Sequence, residues 1–503
     1  MMMPLRLFLL FSGFVMSAFA AQPELGIFAT QTDIGEPGLA GSASYDSGKQ
    51  SYNVTGAGRN VWEAHDDFHF VHRRIKGNFI LQARTRLDGS EGETHRKFGL
   101  MARGSLDPAS AMVATAVHGD GLTSLQFRRA VGAMVEEKRT PVVSADVIQL
   151  ERRGNRFILS VARLGDVFTT ESIEEITVGE ELEVGLFVCA HTSKATAKAI
   201  FDDVRLTIPA WDGLVRYKDY LGSRLELLTL ETGRREVIYE TPDGIDAPNW
   251  TPDGSTLIYN SRGKLFRFPL ASGKPEPLDT GFAVKCNNDH VLSFDGKTLG
   301  ISHNPKDPAH PDVTSTVYTI PVGGGKPTQV TTAGTSYLHG FSPDGLSLLF
   351  TGKRGGDFDI YRIPVGGGEE TRLTDTPGLD DGSEYSPDGR FIYFNSTRSG
   401  LMQCWRMKPD GSAPEQLTHD DFNNWFPHVS PDGKRIVFIT FSTDVKPDEH
   451  PYYQHVYLRE MSADGGKSRV VAYLYGGQGT LNVPSWSPDG RRVAFVSHTA
   501  PVK

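Results

Sequence analysis

The sequence predicts an all-β protein in which an N-terminal β-sandwich is followed by a six-bladed β-propeller. Three observations predict this fold class. A four-residue turn recurs six times in the C-terminal half, short alternating apolar segments fill the N-terminal half, and Gly (54) and Pro (30) are abundant in the 503 residues. Glycine and proline at this level are typical of a protein rich in tight turns between strands.

The repeated turn reads Ser or Thr, then Pro or Phe, then Asp-Gly. Its copies start 42 to 57 residues apart, at Thr251, Ser293, Ser342, Ser386, Ser430 and Ser487. Self-similarity at this period indicates propeller blades, each a four-stranded sheet. Proline presets φ, aspartate bonds its own turn, and glycine takes the positive φ that a short hairpin needs.

One repeat contains the other strands of a blade as well. The turn at Ser386 is followed by the alternating runs 391–394, 403–407 and 415–418. Segments 223–230 and 235–239 read as strands that lack the inner half of their blade, and 491–503 reads as one more strand. Pairing these segments completes a sixth blade and removes an exposed sheet edge.

Residues 22–208 read as a separate β-domain. The segment 79–87 alternates in period two, and 147–150 and 157–161 flank a turn signal. Further strands are predicted at 182–188 and 199–206, which favours a sandwich. Residues 209–222 form a short linker, so the sandwich and the propeller at 223–503 are expected to touch.

The start of the chain has the pattern of a secretory signal at residues 1–20. Arg6 gives the positive region, residues 7–15 the apolar region, and Ala18-Phe19-Ala20 the cleavage site. The pattern predicts a periplasmic or extracellular protein with no transmembrane segment in the mature chain; a retained anchor is the alternative. The net charge of −9 argues against a nucleic-acid partner.

The central channel of the propeller is the predicted site. The first strand of a blade lies nearest the axis, so the residues before each turn face the channel. Two positions before the turn lie Asn249, Val291, Gly340, Glu384, His428 and Ser485, and one position earlier lie Pro248, His290, His339, Ser383, Pro427 and Pro484. Imidazole and carboxylate groups together suit a divalent metal or a general acid–base pair. The alternative is that they satisfy strand ends and channel water.

From these positions we predict catalytic roles for Glu384, His428 and His339, and a metal site of His290, His339 and His428 for Ca, Mn or Mg. The predicted ligand-binding residues combine an aromatic platform with amides and charges, as sugar sites do: Trp425, Asn423, Asn424, Asp381, Arg398 and Gln478. Arg398, like Arg354 and Arg459, either clamps an acidic ligand or pairs with an aspartate of its blade. The long segments 441–455 and 475–480 are where loops on a rigid ring often carry function.

The turn, with the Asp-Ile-Tyr and Leu-Thr strands that follow it, resembles the TolB-type propeller repeat across residues 223–498. The order Gly56-Ala57-Gly58, Trp62, 66–70 and a final Phe201-Asp202-Asp203 resembles concanavalin-like jelly rolls. That resemblance implies a glycan surface at Trp62, His65, Asp66, Asp67 and His69; the alternative is that Trp62 and Phe68 belong to the core. The channel histidines are also similar to those of oligogalacturonate lyases, which implies metal-assisted lyase chemistry.

Three functions follow as hypotheses. The first is a secreted or periplasmic protein that binds a carbohydrate or a protein at the channel mouth. The second is a carbohydrate-active enzyme, either a polysaccharide lyase or a glycosidase, with its site at the same mouth. The third is a cell-envelope assembly factor of TolB type. One propeller repeat serves many unrelated proteins, so the fold alone does not choose among them.

Overall fold

The computed structural model describes residues 25–215 and 218–501, and within these ranges all regular structure is β-strand. The predicted signal segment, residues 1–20, lies outside the described residues. In the part of the chain that the structure describes, no helix is long and apolar enough to cross a membrane.

The N-terminal half contains sixteen strands. They are β1 (Thr30–Ile34), β2 (Ser42–Asp46), β3 (Ser51–Gly58), β4 (Val61–Trp62), β5 (His65–Asp66), β6 (Phe68–Lys76), β7 (Phe79–Leu87), β8 (Lys97–Arg103), β9 (Met112–His118), β10 (Thr123–Arg128), β11 (Glu136–Arg139), β12 (Val147–Arg153), β13 (Arg156–Ala162), β14 (Thr169–Ile173), β15 (Glu181–Cys189) and β16 (Thr192–Thr207).

Fourteen of these strands form two seven-stranded antiparallel sheets, and β4 and β5 form a separate hairpin. The orders are β1-β6-β15-β8-β9-β10-β11 and β14-β13-β12-β7-β16-β3-β2. The predicted alternation of 79–87 places Phe79, Leu81 and Ala83 of β7 in a core shared with Leu100 and Leu186 of the other sheet. The two sheets therefore bury their facing sides against each other; the jelly-roll assignment stays a prediction.

The propeller contains the other twenty-three strands. The outer strands of the closing blade are β17 (Gly222–Thr229) and β18 (Arg234–Thr241). Blade 1 is β19 (Asp246–Trp250), β20 (Thr256–Ser261), β21 (Lys264–Pro269) and β22 (Glu276–Pro277); blade 2 is β23 (Cys286–Leu292), β24 (Thr298–His303), β25 (Thr316–Pro321) and β26 (Thr328–Gln329); blade 3 is β27 (Ser336–Phe341), β28 (Ser347–Lys353), β29 (Phe358–Pro364) and β30 (Thr371–Arg372). Blade 4 is β31 (Asp380–Tyr385), β32 (Ile392–Ser399), β33 (Leu401–Met407) and β34 (Glu415–Gln416); blade 5 is β35 (Asn423–Val429), β36 (Arg435–Phe441), β37 (Gln454–Ser462) and β38 (Arg469–Gly476); and β39 (Arg492–Thr499) completes the set.

The repeated turn joins the first two strands of each blade, as predicted. In blade 4 the Ser386 hydroxyl donates to Asp388 Oδ1 at 2.7 Å, and the amide of Arg390 donates to the same oxygen at 3.1 Å. The hydrogen bond from Ser386 is the main reason that the pKa of Asp388 falls to about 2. Gly389 follows with φ of 71°, which a residue with a side chain adopts at a cost.

Six blades are confirmed. The closing blade, blade 6, pairs β39 with β17 over eight residues, and β17 with β18. An isolated bridge from Trp486 to Val493 adds an inner strand segment. The blade therefore joins the two ends of the propeller segment, as the sequence predicted.

The N-terminal sheets pack directly against blades 5 and 6. Val147 and Ala162 share a core with Val470 and Tyr473 of β38. At the seam of the ring, the amide of Ile208 donates to the Thr499 hydroxyl at 2.9 Å. The amide of Ala500 donates to the Ile208 carbonyl, also at 2.9 Å. The two halves of the chain are thus joined by apolar packing and by hydrogen bonds.

A buried ionic network crosses the same interface. Glu226 of β17 is fully buried and accepts hydrogen bonds from Arg205 at 3.0 Å and from Arg235 at 2.9 Å. The Ser497 hydroxyl donates to it as well. Burial alone would raise the pKa of Glu226, but the two guanidinium groups outweigh burial and lower it to about 2.

Candidate functional site

The inner strands of the blades start at one mouth of the channel, and a bulge interrupts each of them. The register shifts between Asp246 and Asn249 in β19, between Asp381 and Glu384 in β31, and between Trp425 and His428 in β35. The residues inside these bulges have positive φ, and they are Ala247 (60°), Gly382 (62°) and Phe426 (54°). Because a bulge inserts an extra residue, side chains on its two sides do not keep the simple alternation of a strand.

Glu384 and His428, on neighbouring inner strands, form a buried pair. The distance from Glu384 Oε2 to His428 Nδ1 is 2.7 Å, and Glu384 Oε1 accepts from the Val429 amide at 3.2 Å. The second nitrogen of the imidazole, His428 Nε2, lies 3.3 Å from the carbonyl oxygen of Leu481. Both partners of the imidazole are hydrogen-bond acceptors, and each ring nitrogen has one of them.

His339 and Asp381 form a second pair one blade away. His339 Nε2 lies 2.8 Å from Asp381 Oδ1, which also accepts from the Thr351 hydroxyl at 2.7 Å. Burial acts to lower the pKa of His339, but the negative charge of Asp381 outweighs it and the pKa is raised. Burial acts to raise the pKa of Asp381, and the charge of His339 reverses this, to about 2. The two shifts agree, and they describe an ion pair.

Asp289, on the inner strand of blade 2, faces the same cluster, but among the described residues it has no charged partner in hydrogen-bond contact. Its oxygens accept from the side-chain amides of Asn287 at 2.7 Å and Asn482 at 3.1 Å. Burial raises its pKa to about 6, and the attraction of His339 offsets burial only in part. A carboxyl group that takes up a proton near neutrality therefore lies next to an ionised pair.

Among the buried polar atoms of this region that have no hydrogen-bond partner within the described residues, three belong to amide or hydroxyl side chains. They are Asn288 Nδ2, Ser383 Oγ and Asn482 Oδ1, and they come from blades 2, 4 and 6. Buried polar groups without partners are costly, so they usually meet water or a ligand. The inner strands of blades 2 and 4 and the segment before the last turn therefore hold one amide donor, one hydroxyl and one carbonyl oxygen whose hydrogen-bonding capacity is unused within the described residues.

The segment between β36 and β37, residues 442–453, folds over this mouth. The ring of His450 lies 4.4 Å from the ring of Trp425 and 5.7 Å from that of Phe426, measured between centroids. The segment is fixed at one end by Asn423, whose Nδ2 donates to the Val445 carbonyl at 2.9 Å. At its other end the Pro451 carbonyl accepts from the Gln478 amide at 3.0 Å. We call residues 442–453 the cap.

The structure corrects the prediction of an aromatic platform. Trp425 is fully buried in the core of blade 5, so it presents no face to a sugar. Asn423 binds the cap, and Asn424 binds Gln403, Asp420 and Thr440, so both amides are used within the protein. Trp425 lies before the bulge at Phe426, and its side chain packs in the core of blade 5. His428 lies after the bulge, and its side chain contacts Glu384.

The predicted arginines pair with carboxylates of their own blades. Arg398 donates to Asp380 at 2.9 Å, and Arg354 donates to Glu370 at 2.7 Å. Arg459 pairs with Asp420. The structure therefore supports the interpretation that these arginines pair with carboxylates of the protein. Arg398 in particular is not free to clamp an acidic ligand. Gln478 is half-buried beside the cap.

The three predicted metal-ligating histidines do not come together. His290 Nε2 lies 3.3 Å from the carbonyl oxygen of Ile258, while His339 and His428 have the carboxylate partners described above. Among the described residues, no group of three or more His, Cys, Asp or Glu side chains is arranged to hold a metal ion. The metal site of His290, His339 and His428 is thus not formed, because each imidazole faces a different neighbour.

The predicted glycan surface of the N-terminal half is also largely internal. Asp66 is fully buried and accepts from Arg128 at 2.7 and 2.8 Å, and His69 is buried beside Asp33. Phe68 is in the core, and Trp62 packs against it. The core alternative for these residues is the one that the structure supports.

Sequence reasoning missed Asn482 and the role of the cap. Asn482 lies in the irregular segment before the last repeated turn, where no periodicity predicts which side chain faces the axis. The length of the segment between β36 and β37 did indicate a functional loop, but its contact with Trp425 depends on residues distant in sequence.

The chain belongs to the family of TolB-like β-propeller proteins. The TolB β-propeller domain matches residues 310–449. An uncharacterised protein of Agrobacterium fabrum is 45% identical over 277 residues, which cover 55% of this chain and 92% of that protein.

Two solved structures are similar to this chain. A protein of Agrobacterium tumefaciens, provisionally named TolB, is 44% identical, with a TM-score of 0.53, over 56% of this chain and 100% of that one. TolB of Acinetobacter baumannii is 17% identical, with a TM-score of 0.40, over 65% of this chain and 79% of that one.

Proposed function

We propose that this chain is a periplasmic or extracellular binding protein whose propeller recognises a polar ligand at the channel mouth. The observation that carries the proposal is the set of buried atoms without partners, Asn288 Nδ2, Ser383 Oγ and Asn482 Oδ1. Asn288 and Ser383 are the sequence neighbours of Asp289 and Glu384 on the inner strands of blades 2 and 4, and the Asn482 side chain bonds Asp289 at 3.1 Å. A ligand rich in hydroxyl and amide groups, such as an oligosaccharide or a segment of an envelope protein, matches these donors and acceptors.

The geometry favours binding over metal-assisted catalysis. His428 is engaged on both nitrogens, so it is not available as a base without breaking a contact. The described residues also lack a metal-binding group. Rigid, satisfied side chains flanked by a few open polar atoms are suited to recognition, because little conformational entropy is lost on binding.

The cap defines how a ligand enters. Its residues 442–444, 446, 448 and 449 are exposed, while Pro451 and Tyr453 are buried. The exposed part contacts the propeller through the Asn423 bond to Val445. A ligand reaches the mouth when this part moves aside, so replacing residues 444–449 with a short Gly-Ser linker is expected to raise the association rate.

Binding is tested by titration calorimetry with a panel of neutral and uronic-acid oligosaccharides, and by pull-down of a peptidoglycan-associated lipoprotein. Ser383→Ala removes a hydroxyl that makes no bond within the described protein, and Asn482→Ala removes the amide that faces Asp289. Both are expected to weaken binding about 2- to 13-fold, since a hydrogen bond is worth about 0.5–1.5 kcal/mol net. Asn155→Ala, in an exposed turn of the N-terminal half, is the matched control.

Equal affinity of the wild type and of both channel variants for every bound ligand would place recognition elsewhere on the molecule. Binding that depends on Ser383 and Asn482 and is seen only with the lipoprotein would favour an envelope assembly role of TolB type.

A carbohydrate-active enzyme is the second candidate, and one observation favours it. Asp289 has a pKa raised to about 6, while Asp381 nearby has a pKa lowered to about 2. Two carboxyl groups whose pKa values are driven apart can serve as an acid and a base. Turnover of uronic-acid glycans, followed by absorbance near 235 nm and by release of reducing sugar, tests this candidate. A wild-type rate that Asp289→Asn abolishes would support the enzyme. If no product forms, the first candidate, a binding protein, is favoured.

A further inference from the structure

A small cavity lies between the N-terminal sheets and the propeller, remote from the channel mouth. It has a volume of about 20 Å³, enough for one water molecule or one monatomic ion. Polar groups from both halves of the chain line it, among them Gln82, Arg205, Arg224, Arg235, His455 and Ser497. Three guanidinium groups are thus gathered around a space of atomic size.

The lining has an excess of positive charge. Among the described residues that line the cavity there are three arginines and no aspartate or glutamate. Glu226 lies behind Arg205 and Arg235 and balances one charge. The third arginine, Arg224, is paired at 3.4 Å with Glu240, whose side chain is 60% exposed and therefore screened by solvent.

The donors of these arginines also exceed their acceptors. Each guanidinium carries five N–H bonds. Arg224 donates to the Leu206 carbonyl at 2.7 Å and to the Thr207 hydroxyl at 3.5 Å, and its Nε lies 3.4 Å from Glu240 Oε1. Arg235 donates to Tyr473 and Glu226, and its Nε is buried without a partner. Buried donors of a charged group that lack acceptors destabilise the fold, so an anion in this cavity satisfies both the charge and the geometry.

We infer that the cavity is a binding site for a monatomic anion, chloride in a saline compartment, which joins the N-terminal sheets to the propeller. A space of about 20 Å³ suits a monatomic ion better than phosphate, sulfate or a carboxylate, whose several heavy atoms need more room. Chloride in this cavity faces Arg224 and Arg235 of the closing blade and Arg205 of β16, so it links the propeller to the N-terminal sheets. Because the ion binds only when the two halves are docked, it stabilises the docked state in proportion to its concentration.

The test is anion-specific stability of the full chain. Thermal unfolding is measured in sodium chloride, sodium bromide and sodium gluconate at equal ionic strength, so that general screening is the same in all three. Chloride and bromide are expected to raise the Tm by about 1–2 °C relative to gluconate, the shift that about 1–2 kcal/mol produces in a chain of this size. Arg224→Gln is expected to abolish the difference between chloride and gluconate.

Arg406→Gln is the matched control, because Arg406 is similarly buried but lies in blade 4 and pairs with Glu415 and Asp464. It is expected to lower the Tm equally in all three salts and to keep the chloride effect. Crystals of the wild type soaked in bromide provide a readout that does not depend on any variant. An anomalous peak between the three guanidinium groups supports the site. Equal Tm values in chloride and gluconate, or a cavity without an anomalous peak, would overturn it.

Discussion

Replacing Glu226 with glutamine tests whether the buried ionic network holds the two halves of the protein together. The carboxylate is fully buried and bonds two guanidinium groups and one hydroxyl. Glutamine has nearly the same shape, so packing is preserved while the negative charge is lost. Two buried cations are then left without their counter-charge.

The expected loss can be worked out in two ways. Breaking a buried ion pair by removing one partner costs about 3–5 kcal/mol. The pKa of Glu226 falls from 4.5 to about 2, and at about 1.4 kcal/mol per unit this corresponds to about 3 kcal/mol. Both routes give a free energy of unfolding that is lower by about 3 kcal/mol at pH 7.

The assay is urea unfolding followed by tryptophan fluorescence, with Glu415→Gln as the control. Glu415 pairs with Arg406 on the surface of blade 4 with 54% of its side chain exposed, so its loss is expected to cost less than about 1 kcal/mol. A carboxyl group whose pKa is lowered by folding stabilises the fold at pH values above its usual pKa. This contribution is lost as the pH falls to the lowered pKa. The gap between wild type and Glu226→Gln is therefore expected to narrow between pH 4.5 and pH 2. A loss below about 1 kcal/mol at pH 7, or a gap that does not depend on pH, would refute the reasoning.

Three further predictions concern the channel mouth. Burial raises the pKa of Asp246 to about 7, so keeping this group ionised destabilises the fold increasingly as the pH rises above about 4. Asp246→Asn is therefore expected to be more stable than the wild type at pH 8, by up to about 4 kcal/mol, and no more stable at pH 3.5. Unfolding measured at both pH values checks this. Trp425→Ala is expected to lower the free energy of unfolding by about 3–5 kcal/mol, because the side chain is fully buried; a smaller loss would show that the residue is exposed in solution. Gly479 has a φ of 89°, and a Cβ atom at this position would lie 2.2 Å from Asp246 Oδ1. Gly479→Ala is therefore expected to displace the segment beside the cap and to speed proteolysis of that segment. An unchanged rate of cleavage would contradict this geometry.

The sequence predicted the frame of the propeller well because its signals are local. The Ser-Pro-Asp-Gly turn closes on itself through bonds that span only five residues, as at Ser386 and Asp388. The six blades and the pairing of β17 with β39 then follow from the number of repeats and from the half-blades at the two ends. These inferences needed no knowledge of which side chains meet across the channel.

The site was harder to predict because it depends on bulges and on distant segments. The positive φ of Phe426 shifts the register of β35, so Trp425 points into blade 5 while His428 reaches the axis. The pairing of His428 with Glu384 was consistent with the predicted cluster, but the partner of His290 is a backbone carbonyl that no sequence pattern reveals. The Glu226 network was missed because its members are distributed over both halves of the chain.

The seam of the ring is also the place where the N-terminal sheets are attached. Ile208 is bonded to Thr499 and to Ala500, at the strand that shuts the propeller, and Glu226 lies on the strand paired with it. A mechanical load that pulls the two halves apart is therefore delivered to the closing strands of blade 6 and, through the core shared with Val470 and Tyr473, to the neighbouring strand β38. Such a load would open the propeller at its closing blade instead of leaving it closed. The protein is therefore expected to unfold in a single event when it is stretched between its two halves.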